Sequence, residues 1–228
     1  GRKRDGEPGV TVIWRGWQKQ LQAGNYQLAG QSLFAIAQKI SRGDIAKQTL
    51  VIPEGWTIRD IDDYLRTTSL AGANEFLEIT GRNYSDNFSF LADKPKNLNL
   101  EGYLFPDTYY LKLGDTAGVL VEKMLANFEQ KLSDELKTEI KKQGKSIFQI
   151  ITMASLLEEE VRGAEDKKTV SGILWKRLEI NMYLNVDAAI AYALNKKAGR
   201  LSIQDIQIDS PYNTYKHKGL PLGPISNP

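Results

Sequence analysis

Three consecutive glutamates, Glu158, Glu159 and Glu160, close an apolar run inside QIITMASLLEEEVRGAED, Gln149 to Asp166. Carboxyls move protons to and from reacting bonds, so what matters is which of the three holds a proton near neutral pH. Ile150, Ala154, Leu157 and Val161 recur at three- and four-residue steps and predict a helix with these residues as its buried stripe. Successive helix residues lie about 100° apart, so the three carboxyls cannot share one environment. Glu159 falls near Ser155 and Arg162 and is expected to be solvated. Glu160 follows Met153, Leu156 and Leu157 at helical spacing, which sets it at the edge of the apolar face. Desolvation there favours the protonated carboxyl, as a general acid requires. Periodicity by itself equally describes, and favours, an amphipathic helix with a charged outer face.

Three further stretches are more polar and aromatic than packing requires: EGYLFPDTY, YLNVDAAIAYAL and SPYNTYKHKGLPLGPI. Asp107 in the first either caps a hydrophobic turn or lines a site. Asp187 in the second has the position of a helix N-cap, a role worth about 1 kcal/mol. In the third, Tyr212, Asn213 and Tyr215 offer flat apolar faces with hydrogen-bonding tips, which suit a sugar ring. His217, between two lysines, reads as a solvated surface residue. Dinucleotide, P-loop, nucleophile-elbow and EF-hand signatures are absent from the sequence.

The elements that must position these residues are built from a chain of ordinary globular composition. It has 228 residues, 41% hydrophobic and 25% charged, enough for a sizeable core in one or two domains. A formal charge of +2 does not indicate nucleic acid. There is no cysteine and one histidine, which excludes disulfides and thiolate metal sites and leaves little for a histidine metal cluster. Neither a transmembrane run nor a signal peptide is visible, and no cofactor or metal is expected.

Val10–Trp14 and Tyr26–Leu28 read as strands, with Gly24-Asn25 as a turn and Trp17 and Leu21 as the start of an apolar helical face. Leu33, Ile36, Ala37 and Ile40 predict a helix closed by Gly43. Thr49–Ile52 reads as a strand, Pro53-Glu54-Gly55 as a turn, and Thr57 as the N-cap of a helix lined by Ile58, Ile61 and Leu65, with Asp60 completing the cap. A short helix over Ala73–Thr80 leads into RNYSDNFSFLADKPKNLNL, a loop or boundary. These pieces predict a compact α+β module over residues 1–98. From residue 99 a mainly helical mixed α+β domain follows, with helices over Thr116–Gln143, the acidic segment, Asp166–Ile180 and Asp187–Leu194.

QAGNY, LVIPEG, LEGYLFPDTY, MASLLEEE, the NVDAAIAY region, SPYNTY and GLPLGPISNP occur together and in order, and in this the chain resembles the YceG-like family of endolytic murein transglycosylases. The resemblance implies a LysM-like module over residues 1–98 and a catalytic domain over residues 99–228. It implies cleavage of nascent peptidoglycan strands between N-acetylmuramic acid and N-acetylglucosamine, leaving 1,6-anhydro ends. It also implies the extracytoplasmic face of the inner (plasma) membrane as the location, an N-terminal membrane anchor that this chain lacks, and cell-wall synthases as further partners, with no nucleic acid. The family pattern A-S-[IL]-[VIL]-E-x-E, whose second glutamate is catalytic, falls on Glu158 and Glu160, making Glu160 the expected catalytic residue and Glu158 a supporting one. A family T-D-P-T pattern keeps only its aspartate, Asp187, followed here by Ala188 and Ala189.

On this reading Glu160 protonates the leaving glycosidic oxygen, and its carboxylate then takes the proton of the attacking muramic 6-hydroxyl. Tyr212, Asn213 and Tyr215 hold the glycan, while Asp107 and Asp187 fix loops or contact hydroxyls. Two alternatives stay open on the sequence: a non-catalytic glycan-binding or scaffold protein, and a muramidase that uses water with Glu158 or Asp187 as second carboxylate.

Overall fold

The structure, a computed structural model, describes residues 19–23, 26–44, 46–196 and 201–228. The strand expected at Val10–Trp14, the helical start at Trp17 and the turn at Gly24-Asn25 lie outside those residues. The chain forms two compact units, one of residues 1–50 with 109–115 and one of residues 51–108 with 116–228. The fold is mixed α+β and mainly helical, with a single two-stranded sheet among the described residues. No helix among them is long and apolar enough to cross a membrane.

The first unit is built on helix α1, Leu33–Arg42, where the apolar spacing predicts it. Ser32 caps its start by accepting from the Ala35 N–H, and Gly43, at φ 67°, ends it in the left-handed conformation that glycine adopts without strain. Strand β1, Lys47–Ile52, pairs with β2, Asp107–Lys112, and the Leu113 N–H donates to the Ala46 carbonyl, which sets the end of β2 against the start of β1. Tyr26–Leu28, expected as a strand, is irregular, its Gln27 carbonyl accepting from the Lys39 and Gln31 side chains, and Leu21 is exposed outside any helix.

The second unit begins with the turn at Pro53-Glu54-Gly55 and helix α2, Ile58–Arg66. Thr57 and Asp60 form the expected reciprocal capping box, and Ile58, Ile61 and Leu65 are buried beneath it. Ala73–Thr80 divides into a short 3-10 turn, Ala73–Glu75, and helix α3, Phe76–Thr80. The predicted helix over Thr116–Gln143 is two: α4, Ala117–Lys131, and α5, Asp134–Lys142. The break falls where the Ser133 side chain accepts from the Leu136 N–H and starts a new helix, a local competition that apolar spacing alone does not register.

Helix α6, Ile147–Glu160, carries the three glutamates; α7, Ala164–Glu179, α8, Asp187–Ala193, and α9, Ile203–Ile206, follow. Met153 and Leu156 of α6 pack with Leu174, Leu184, Val186, Ala189 and Ile225 in one buried cluster. Phe90, Tyr103 and Phe128 stack in another, with ring centroids 4.7–6.1 Å apart. The tail is interior: Ile225, Ser226 and Asn227 are buried, and Asn227 accepts from the Leu104 N–H while its own amide donates to the Trp56 carbonyl. Gly102, at φ 84°, passes so close to this tail that a Cβ would stand 2.5 Å from Pro224.

Candidate active site

Helix α6 starts on a capping box between Ser146 and Gln149 and stops at Glu160, because Val161 is extended at φ −145°, ψ 144°. It therefore ends short of the predicted Asp166. Its buried residues are Ile151, Thr152, Met153, Ser155 and Leu156, whereas the predicted stripe of Ile150, Ala154, Leu157 and Val161 is only partly buried. The difference comes from the tail. Ser155, which a periodicity argument places outside, accepts from the Ile225 N–H at 3.0 Å and donates to the Thr152 carbonyl at 2.8 Å. A buried hydroxyl is tolerated once its donor and acceptor are both used.

The three carboxyls crowd the negative end of the helix dipole with no basic residue in the last turn, a placement that opposes ionisation. They diverge from there. Glu158 is paired with Lys167 of α7 at 2.5 Å. Glu159 is exposed, as expected, but its carboxyl lies against Gly55 and the Ser226 hydroxyl, and partial burial there pushes it up, with Glu158, Asp60 and Glu160 adding negative charge nearby. Glu160 reaches the surface, yet partial burial raises its carboxyl too, and the charge of Asp187 adds to that. The Ala188 N–H, at the head of α8, donates to Glu160 and opposes the rise.

Asp187 and Tyr215 meet beside Glu160. Thr214 brings them together: its hydroxyl accepts from the Val186 N–H at 2.9 Å, and its carbonyl accepts from the Asn185 N–H at 3.2 Å. One residue further along each segment, the Tyr215 hydroxyl donates to Asp187 at 2.5 Å, and burial followed by Asp187 pushes the phenol up to about 12.

A cleft of about 620 Å³ reaches Glu159 and Ala188, the chain neighbours of Glu160 and Asp187, while Glu160, Asp187 and Tyr215 are not among its lining residues. Its walls carry Trp56, Thr57, Arg59 and Asp60 from the head of α2, Glu159 from α6, and Ala188, Tyr192, Asn195 and Lys196 from α8 and beyond. Trp56 is braced edge-on by Tyr64, and Arg59 lies over the Tyr192 ring while donating to Asn195 at 3.0 Å. Aromatic faces beside polar tips, with two raised carboxyls at hand, suit an uncharged polyhydroxy ligand that is to be protonated.

The remaining residues picked from the sequence sit elsewhere. Asp107, at the start of β2, accepts from the Thr108 N–H at 2.7 Å and from Asn127 at 2.9 Å; these bonds hold its carboxyl low and serve the loop, and it is not among the cleft's lining residues. Tyr212 is half-buried against Tyr192, centroids 5.1 Å apart. Asn213 is fully buried: its amide donates to the Ile206 and Ile208 carbonyls and its oxygen accepts from the Tyr215 N–H, so it shapes the tail and cannot touch a glycan. His217 is exposed, as expected.

Sequence reasoning passed over Trp56, Arg59, Tyr192, Asn195 and Glu101. The capping box at Thr57 was the available signal for the first two, since it fixed where a helix begins. Glu101 stood inside a motif noted for its aromatics. It is 3% exposed, accepts from the Ile58 N–H at 2.9 Å and from the Tyr192 hydroxyl at 3.0 Å, and burial pushes its carboxyl up to about 7.

Fold and site together define a mixed α+β protein with an acid-bearing cleft at the end of a helix. Residues 8–228 match the YceG-like family, and the chain belongs to that family. An endolytic murein transglycosylase of Bacillus subtilis (strain 168) is 33% identical over 219 residues, covering 91% of this chain and 61% of the relative. One from Streptococcus pneumoniae serotype 2 is 34% identical over 201 residues, covering 79% of this chain and 36% of the relative. The chain thus spans less than two thirds of the length of these relatives. A crystal structure of a yceG-like protein from Listeria monocytogenes superposes with a TM-score of 0.69 at 29% identity, covering 96% of this chain and 77% of that one.

Proposed function

We propose that this chain carries the catalytic part of an endolytic murein transglycosylase, cutting peptidoglycan strands that lie along the α2–α8 cleft and pass over its edge to Glu160, the acid. The observation that carries the reading is the environment of Glu160: a carboxyl raised by burial and by Asp187, with the Ala188 N–H placed to receive the carboxylate that forms. In the proposed step Glu160 gives its proton to the oxygen between muramic acid and glucosamine as the C1–O bond breaks. The muramic 6-hydroxyl closes on C1, and its proton returns to Glu160. No water is consumed, and one carboxyl suffices where a hydrolase typically uses two. Asp187, held by Tyr215, keeps the acid's carboxyl raised, and Glu158 anchors the helix end to α7 through Lys167. The names of the relatives support the activity, and the chain spans 61% and 36% of their length.

The same proposal extends to a LysM-like character for the expected module over residues 1–98. It also extends to a membrane-anchored protein at the extracytoplasmic face of the plasma membrane, with cell-wall synthases as partners; the resemblance supports these points. A second reading has its own support: Glu159 lines the cleft directly and is also raised by burial, which makes it the rival acid. Digests of purified glycan strands by Glu160→Gln and Glu159→Gln separate the two. Loss of anhydro-ended product in the first alone supports Glu160; loss in the second alone transfers the role. Product heavier by one water shows a muramidase, and binding without product shows a glycan-binding protein.

A further inference from the structure

We propose that Glu101 is a positioning residue for the cleft, its two carboxyl oxygens fastening the head of α2 to Tyr192 so that the two walls keep a fixed separation. The inference rests on the glycan reading for the identity of the occupant. Glu101 belongs to neither wall in sequence. Its partners lie 43 and 91 residues away, and each is the hub of one wall. Ile58 follows Trp56 and Thr57 and precedes Arg59 and Asp60, so fixing its N–H fixes the turn from which those side chains enter the cleft. Tyr192 carries its ring into the cleft beneath Arg59 and stands one turn from Ala188 and three residues before Asn195.

Chemistry explains why the clamp is a carboxylate. Ile58 N–H is an obligatory donor and the Tyr192 hydroxyl is donating, so one group must accept twice in a dry place. An ionised carboxylate does this with both oxygens, and hydrogen bonds to a charged acceptor are the stronger kind. A protonated carboxyl or a glutamine accepts on one side only, and Tyr192 must then reverse its hydroxyl. The charged and titratable groups around Glu101 are Arg59 and Asp60 from α2, Tyr192 from α8 and Tyr212 from the tail. Lys94 and Tyr103 share a small cavity with it. Burial sets the midpoint of this switch at about 7, so the clamp is expected to tighten as pH rises through neutrality.

The test compares the unaltered protein with Glu101→Gln. In proton–nitrogen spectra without ligand, the Ile58 amide is expected to titrate with a midpoint at about 7 and to be static in the variant. In calorimetric titrations with soluble glycan strands, the ratio of the two proteins' affinities is expected to change about tenfold between pH 6 and pH 8, in favour of the unaltered protein at pH 8. Glu159 and Glu160 titrate in both proteins and cancel in the ratio. Tyr192→Phe, which keeps the ring and Glu101, is expected to weaken binding similarly, and it carries the test should the glutamine protein fail to fold. An affinity that Glu101→Gln leaves unaltered at every pH, or an Ile58 amide signal that the substitution leaves in place, overturns the positioning role. Failure of the unaltered protein to bind glycan overturns the glycan reading instead, and the Ile58 amide signal, which needs no ligand, still decides the clamp.

Discussion

Glu101 makes stability depend on pH in a direction opposite to that of most carboxylates. Its ordinary value of 4.5 is raised to about 7 in the folded chain, chiefly by burial, against the opposing bonds from Ile58 and Tyr192. Between those values the folded state binds more protons at this site than the unfolded state. Stability from this group is therefore greatest below about pH 4.5 and falls as pH rises through about 7. The rise of about 2.5 units (7 − 4.5), at 1.36 kcal/mol per unit, makes the ionised group cost about 3 kcal/mol of stability by pH 8. Glu101→Gln removes the ionisation but keeps the shape. Urea unfolding of both proteins from pH 4 to pH 8 is expected to show the difference in stability moving by about 3 kcal/mol in the variant's favour. In a chain of this size that is a relative change in melting temperature of about 6–12 °C. Other carboxyls contribute equally to both proteins and drop out. A difference that stays flat within about 1 kcal/mol across that range refutes the raised carboxyl and with it the pH dependence of the clamp.

Ala188→Pro removes the N–H that favours ionised Glu160, at a position in the first turn of α8 where proline is tolerated. The Glu160 carboxyl rises further, and the alkaline limb of the kcat/KM profile on glycan strands is expected to move to higher pH, though only modestly, since solvent screens a carboxyl that reaches the surface. An unmoved limb removes Glu160 from the acid role. Gly102→Ala places a Cβ 2.5 Å from Pro224 at a positive φ, so urea unfolding is expected to show a loss of about 1–3 kcal/mol or more; a loss under about 0.5 kcal/mol contradicts the packing. Asn227→Ala strands the buried Leu104 N–H, while the Trp56 carbonyl keeps its bond from the Asn227 backbone N–H, and is expected to cost about 1–3 kcal/mol by the same measurement. Equal stability would mean that the Asn227 side chain adds nothing to the backbone bonds by which the tail holds the turn before α2.

What the sequence by itself determined is what is written within a few residues. Gly43 closes α1, and Thr57 with Asp60 starts α2, because caps are hydrogen bonds between neighbours in the chain; Asp187, read as an N-cap, is instead the first residue of α8, makes no cap bond and accepts from the distant Tyr215. The ordered motifs likewise carried the family. Tertiary structure alone decided which side of each element is buried. The α6 face turned because Ile225, 70 residues beyond Ser155, bonds its hydroxyl, and that rotation brought Glu159 into the cleft. Asn213, with polar atoms suited to a sugar, spends them on the carbonyls of its own tail. Glu101 acquired its raised carboxyl only through burial in the folded core, where the bonds from Ile58 and Tyr192 oppose the rise. A carboxyl's chemistry depends on its solvent and its partners, and both are set by groups distant in the chain that only the folded core brings within 3 Å.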